Sequence, residues 1–131
     1  MPAGTVIPVL AYPSVPEAVA WLSAAFGFTL RLGIGDHRAQ LNAGDGSLVI
    51  TGGGSADGGA RGDAVMIRVE DVRAHCDRAT AHGATIAMPP TDFPYGERQY
   101  TALDFSGRAW TFSETIADVD PREWGGVLPD A

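Results

Sequence analysis

The chain is written twice, and that repetition limits the folds open to it more than any single residue does. Residues 15–28, Val-Pro-Glu-Ala-Val-Ala-Trp-Leu-Ser-Ala-Ala-Phe-Gly-Phe, read as an amphipathic helix closed by a glycine and followed by a strand. Residues 71–86 repeat the plan, with Gly83 in the place of Gly27. A strand-like segment precedes each helix (residues 6–10 and 65–69). Each half then closes on a turn and an apolar strand, Asp45-Gly46 leading into 48–51 and Ser106-Gly107 into 109–112. Self-similarity at this length marks a supersecondary unit used twice. The expected class is α+β: two βαβββ modules forming a curved mixed sheet with a concave ligand cleft. A single domain spans 1–131, with module one at about 4–52, a linker at 53–63, module two at about 64–115 and a C-terminal arm at 116–131.

Local signals agree with this plan. Ala18, Trp21, Leu22 and Ala25 are spaced i, i+3, i+4, i+7 and put one apolar stripe on the sheet. Pro16 suits the opening of the first helix, Ser14 can cap it, and Gly27 ends it. Asp71 is the corresponding cap of the second helix, with Val72, Cys76, Ala79 and His82 near one face. Strands at 29–34 and 37–42 flank the hairpin signal Gly33-Ile34-Gly35-Asp36. Residues 88–96, Met-Pro-Pro-Thr-Asp-Phe-Pro-Tyr-Gly, read as a long loop without a counterpart in module one, ahead of closing strands at 98–105 and 109–114. The glycine-rich run at 52–63 precedes a strand and has no lysine, so it reads as a flexible connector rather than a phosphate cradle.

Charge and composition narrow the function classes. The formal charge is −7, and there is no lysine to cluster. With an isoelectric point near 4.7, nucleic acid and anionic membranes are poor partners. The lone Cys76 cannot form an internal disulfide and reads as a buried thiol. No signal segment and no run approaching ~18 apolar residues is read, so the expected compartment is the cytoplasm.

Phe26-Gly27-Phe28, Tyr95-Gly96-Glu97-Arg98-Gln99-Tyr100 and Asp104-Phe105-Ser106-Gly107-Arg108-Ala109-Trp110-Thr111-Phe112 together resemble the vicinal oxygen chelate superfamily of glyoxalases, bleomycin-resistance proteins and extradiol dioxygenases. The likeness covers about residues 4–115, with Phe105 where the family commonly has proline. The resemblance implies a metal ligand on the first and last strand of each module, pointing into the concavity. Those positions fall here on Ile7 or Pro8, Val49 or Ile50, Ala64, and Thr111. None is a customary ligand to a catalytic metal, Thr111 only weakly so. No metal and no cofactor is therefore expected, and no catalytic residue is assigned.

Without a metal, the concavity becomes an apolar cup with polar fittings. The candidate ligand-binding residues are Arg38, Gln40, Phe93, Tyr95, Arg98, Gln99, Tyr100 and Thr111. Arg98 has an alternative role as the ion-pair partner of Asp92, Glu97 or Asp104, and the face shared by Arg38 and Gln40 is not fixed by sequence. Trp21, Phe26, Trp110, Phe112 and Tyr12 read as core. By resemblance, the protein captures a hydrophobic, aromatic small molecule such as an antibiotic, neutral or cationic, as a homodimer without turnover. A metal-dependent lyase, isomerase or dioxygenase with displaced ligands (Glu97, Glu114 or His37) is the first rival. A metal-free acid–base enzyme using Tyr100, Glu97 or Arg98 is the second, and an accessory subunit with a merely structural cup the third.

Overall fold

The computed structural model describes residues 6–53 and 63–126. The first residues of module one, most of the glycine-rich connector (54–62) and the end of the arm (127–131) lie outside the described residues. Module one consists of β1 (Val9–Ala11), α1 (Val15–Phe26), β2 (Thr29–Ile34), β3 (Arg38–Ala43) and β4 (Gly46–Thr51). Module two repeats it as β5 (Ala64–Arg68), α2 (Val72–Ala81), β6 (Thr85–Phe93), β7 (Glu97–Leu103) and β8 (Ala109–Thr115). The strands form two four-stranded sheets of identical order, β1-β4-β3-β2 and β5-β8-β7-β6, with only the first pair of each parallel. The fold is α+β, built from two βαβββ modules.

The helices begin and end as their sequences direct. Ser14 Oγ accepts from Glu17 N–H at the start of α1, and Asp71 Oδ1 accepts from Ala74 N–H at the start of α2. Gly27, at φ 79°, turns the chain out of α1 in the left-handed region. The buried faces of both helices then meet the sheets in one core. Phe26 is its hub: its ring lies 4.8 Å from Phe112, 5.5 Å from Trp110 and 5.1 Å from Trp21. Because Phe26 belongs to module one and Trp110 and Phe112 to module two, these rings bind the modules to each other.

A buried carboxylate completes the junction. Asp104, 5% exposed, accepts from Tyr12 O–H (2.7 Å) and Trp110 Nε1–H (3.0 Å) on one oxygen. Its other oxygen accepts from Ser106 N–H (2.9 Å) and Arg108 N–H (3.0 Å). The Arg108 guanidinium reaches back to the carbonyl of Ala11 and lies over the Tyr12 ring. Burial, and then the Asp104 charge, push the Tyr12 phenol far up, so it remains a donor.

One expectation is overturned. Residues 88–93 are not loop: β6 runs through Pro89 and Pro90 to Phe93. It is an edge strand, so a proline's missing N–H breaks no ladder bond, and the register slips between Met88 and Thr91 to accommodate the pair. A second slip, between Ile86 and Met88, is matched in module one between Leu30 and Leu32. Each slip is a bulge that moves the following side chains to the other face of the sheet. Leu30 pairs with Leu41 of the core, whereas Leu32 pairs with Gln40, which faces away from it.

Candidate functional site

Strand alternation divides the candidate residues between two faces. On β8, Trp110 and Phe112 enter the core, so Thr111 and Ser113 turn to the face free of helices. Their cross-strand partners on β7, Thr101 and Gln99, share that face, and the Thr101 and Thr111 hydroxyls are hydrogen-bonded at 2.8 Å. Phe93 of β6 pairs with Glu97 of β7 and joins them. The helix-free face of module two thus collects Phe93, Gln99 and Thr111, with Tyr95 at its rim.

Arg98 and Tyr100 lie on the opposite face. Arg98 pairs with Asp92 at 2.6 Å, one of the partners open to it from sequence, and holds the Asp92 carboxyl below the usual range. Tyr100 is fully buried against α2, where its hydroxyl is hydrogen-bonded to His75. The His75 Nε2–H donates to the carbonyl of Phe26 (2.9 Å), which leaves Nδ1 to accept from Tyr100. Burial lowers the His75 pKa and raises that of Tyr100. This trio joins α1, α2 and β7 and is part of the module junction.

In module one, Gln40 faces the helix-free side and accepts from Arg31, the residue at the β2 bulge. Arg38 alternates with Ala39 onto the same face as Gln40 and, at the start of β3, also borders a groove with Val15, Val19 and Leu30. The eight candidates are therefore not one cluster. Phe93, Tyr95, Gln99 and Thr111 are brought together in module two, Gln40 and Arg38 stand on the corresponding face of module one, and Arg98 and Tyr100 are elsewhere.

The module-two cluster has an aromatic wall and a polar floor. Phe93 and Tyr95 stack at 5.3 Å with an interplanar angle of 13°, and Trp124 of the arm meets Tyr95 edge-on at 5.4 Å. The arm is held by Gly96, whose carbonyl accepts from Ile116 and Ala117 N–H. On the floor, Tyr95 O–H donates to Gln99 Oε1 (3.4 Å), Gln99 Nε2–H to Ser113 Oγ (3.1 Å), and Ser113 O–H to Glu97 Oε1 (2.7 Å). Sequence reading passes over Ser113 and weighs Glu97 as a metal ligand, an acid–base group or an ion-pair partner of Arg98, not as the acceptor of Ser113. Their period-two spacing from Thr111 and Gln99 was the available signal. Where the modules meet, a cavity of about 270 Å³ is lined by Pro8, Ser47, Met66 and Arg68 among others.

The positions at which the resemblance implies metal ligands do not suit a divalent ion. Val49 lies outside the core cluster that holds its neighbours Leu48 and Ile50, and so faces the helix-free side, where Val9 is its partner. The register corrects two expected positions: opposite Val49 stands Val9 rather than Ile7 or Pro8, and opposite Thr111 stands Met66 rather than Ala64, which pairs with Ala109. Hydrocarbon, thioether and hydroxyl groups supply no carboxylate or imidazole donor set. Among the described residues no three of His, Cys, Asp and Glu come together as one. Glu114 is committed elsewhere, accepting from Val72 N–H at the start of α2. His37 is exposed in the β2–β3 turn.

Residues 6–112 match the Glyoxalase/Bleomycin resistance protein/Dioxygenase superfamily, and the chain belongs to that family. It is similar to TioX from Micromonospora sp. ML1, with 35% identity, a TM-score of 0.72, and coverage of 89% of this chain and 100% of that one. A glyoxalase/bleomycin resistance protein/dioxygenase from Nocardioides has the same fold (15% identity, TM-score 0.71, 98% and 92% covered). So does the bleomycin-binding protein from bleomycin-producing Streptomyces verticillus, solved with copper(II)-bleomycin (21% identity, TM-score 0.65, 87% and 98% covered). No curated protein matches the chain significantly. No helix among the described residues is long and apolar enough to cross a membrane.

Proposed function

We propose that the protein is a metal-independent small-molecule binder that sequesters a hydrophobic, aromatic compound, such as an antibiotic, against its helix-free face. The observation that carries this reading is the aromatic wall of Phe93, Tyr95 and Trp124 beside the ordered amide of Gln99. Flat ligands gain about 0.5–1.5 kcal/mol per ring contact beyond area burial. A few fixed polar groups then set their orientation. A fold shared with a protein solved with copper(II)-bleomycin supports the ligand class. Hydrocarbon, thioether and hydroxyl side chains at the positions the resemblance assigns to metal ligands favour capture over Lewis-acid catalysis.

The binding unit is a homodimer in this reading. Val9, Leu32, Ile34 and Met66, on the helix-free side, are 56%, 44%, 41% and 61% exposed. A second copy laid over the open face would cover them and enclose the ligand. Calorimetric titration with acridine and with bleomycin tests the proposal. One saturable site per protomer is expected, unchanged by prior treatment with chelator and weakened by Trp124→Ala. Absence of saturable binding to either compound, or chemical conversion of one of them, would overturn it.

A further inference from the structure

The hydrogen bonds on the floor of the aromatic cluster all run one way. Tyr95 donates to Gln99, Gln99 to Ser113, and Ser113 to the Glu97 carboxylate, so the chain of donors ends on an anion. Ser113 takes one Glu97 oxygen, Oε1. No salt bridge among the described residues includes Glu97. Arg68 on this side donates to Thr115, the cross-strand neighbour of Glu97. Glu97 is partly exposed and directly opposite Phe93, so its carboxylate lies at the edge of the Phe93–Tyr95 stack. A carboxylate held beside stacked rings is a fitting receptor for a positive charge attached to a flat ring system: the ring faces attract the cation, and the anion neutralises it.

We infer that Glu97 selects the ligand of this site, and that the ligand is a planar aromatic bearing a cationic nitrogen, which docks on Glu97 while its rings meet Phe93, Tyr95 and Trp124. This inference rests on the capture reading above and adds the charge of the ligand and the residue that reads it. The Ser113 bond holds the carboxylate in place before the ligand arrives, which lowers the ordering cost of binding. Gln99 is then a positioning residue: its amide passes the Tyr95 hydroxyl and Ser113 into one fixed arrangement.

Acridine, neutral at pH 7.5, and 9-aminoacridine, cationic at that pH, form the test pair. The wild-type protein is expected to bind 9-aminoacridine at least about tenfold more tightly, a difference of about 1.4 kcal/mol. That preference should shrink as salt rises from ~0.05 to ~0.5 M. Glu97→Gln keeps an acceptor for Ser113 and removes the charge. It should bring the two dyes within about threefold of each other by weakening 9-aminoacridine alone. Glu17→Gln on the exposed first turn of α1 removes the same charge elsewhere and should leave the preference intact. Equal binding of the two dyes, or an equal loss of both in Glu97→Gln, would overturn the role of Glu97 and leave the capture reading standing. Binding of neither dye would overturn this inference too, and the bleomycin titration would then decide the capture reading separately.

Discussion

Replacing Asp104 by Asn tests the junction that sets one module against the other. The carboxylate receives four donors, two on each oxygen. An asparagine has one accepting end, so its NH2 group must face either the two backbone N–H groups or Tyr12 and Trp110. In the better orientation it turns to Tyr12, whose hydroxyl can accept, and the Trp110 indole N–H loses its partner in a fully buried position. A buried orphaned donor costs about 1–3 kcal/mol, and the remaining bonds lose the strength that the charge gave them. The sum is about 3 kcal/mol of destabilisation. At about 2.1 cal/mol/K per residue of unfolding entropy, a chain of 131 residues loses roughly 10 °C in Tm. Thermal and urea unfolding followed by circular dichroism would read it, with Tyr12→Phe expected to cost less because three of the four bonds survive. An Asp104→Asn loss below about 1 kcal/mol, or a Tyr12→Phe loss that equals it, would refute the reasoning.

Two further outcomes follow from the same geometry. His75 is half-buried with its pKa depressed below the ordinary value near 6.5 by burial, so the unfolded chain binds the extra proton first. Its contribution is complete above about pH 6.5 and is lost as pH falls toward the lowered folded-state value. Urea midpoints should drop between pH 7 and pH 5 in the wild type and drop less in His75→Phe; parallel curves would contradict this. Gly96→Ala forces a side chain into φ +87° and sets its Cβ 2.2 Å from the carbonyl oxygen of Ala117. Backbone strain alone costs about 1–3 kcal/mol, and the clash must push the arm away. Trp124 should then leave Tyr95, which a red shift in its emission and weaker acridine binding would report.

The duplicated plan was legible because each copy carries its own caps, glycine and apolar periodicity, and the core aromatics Phe26, Trp110 and Phe112 fell where that periodicity put them. β6 was misread beyond Ala87 because two consecutive prolines signal a loop locally, whereas their cost disappears on an edge strand whose register slips around them. Faces were harder to read than elements. A single bulge in β2 turns Arg31 toward Gln40 and sends Leu32 and Ile34 to the helix-free side, and no composition rule locates that bulge. Tyr100 stands beside Gln99 in sequence, yet one step along a strand reverses its face and hands it to His75. Ser113 was passed over because serine in a strand is an ordinary surface residue until Glu97 and Gln99 are seen on either side of it.

Native mass spectrometry of the protein, purified without added metal or chelator and then mixed with 9-aminoacridine, bears most directly on the capture of an aromatic ligand without metal. The account predicts a species of two 13.7 kDa chains that takes up one dye per chain and carries no divalent ion at matching stoichiometry. One tightly held divalent metal per chain, with dye uptake that disappears when the metal is removed, would contradict it.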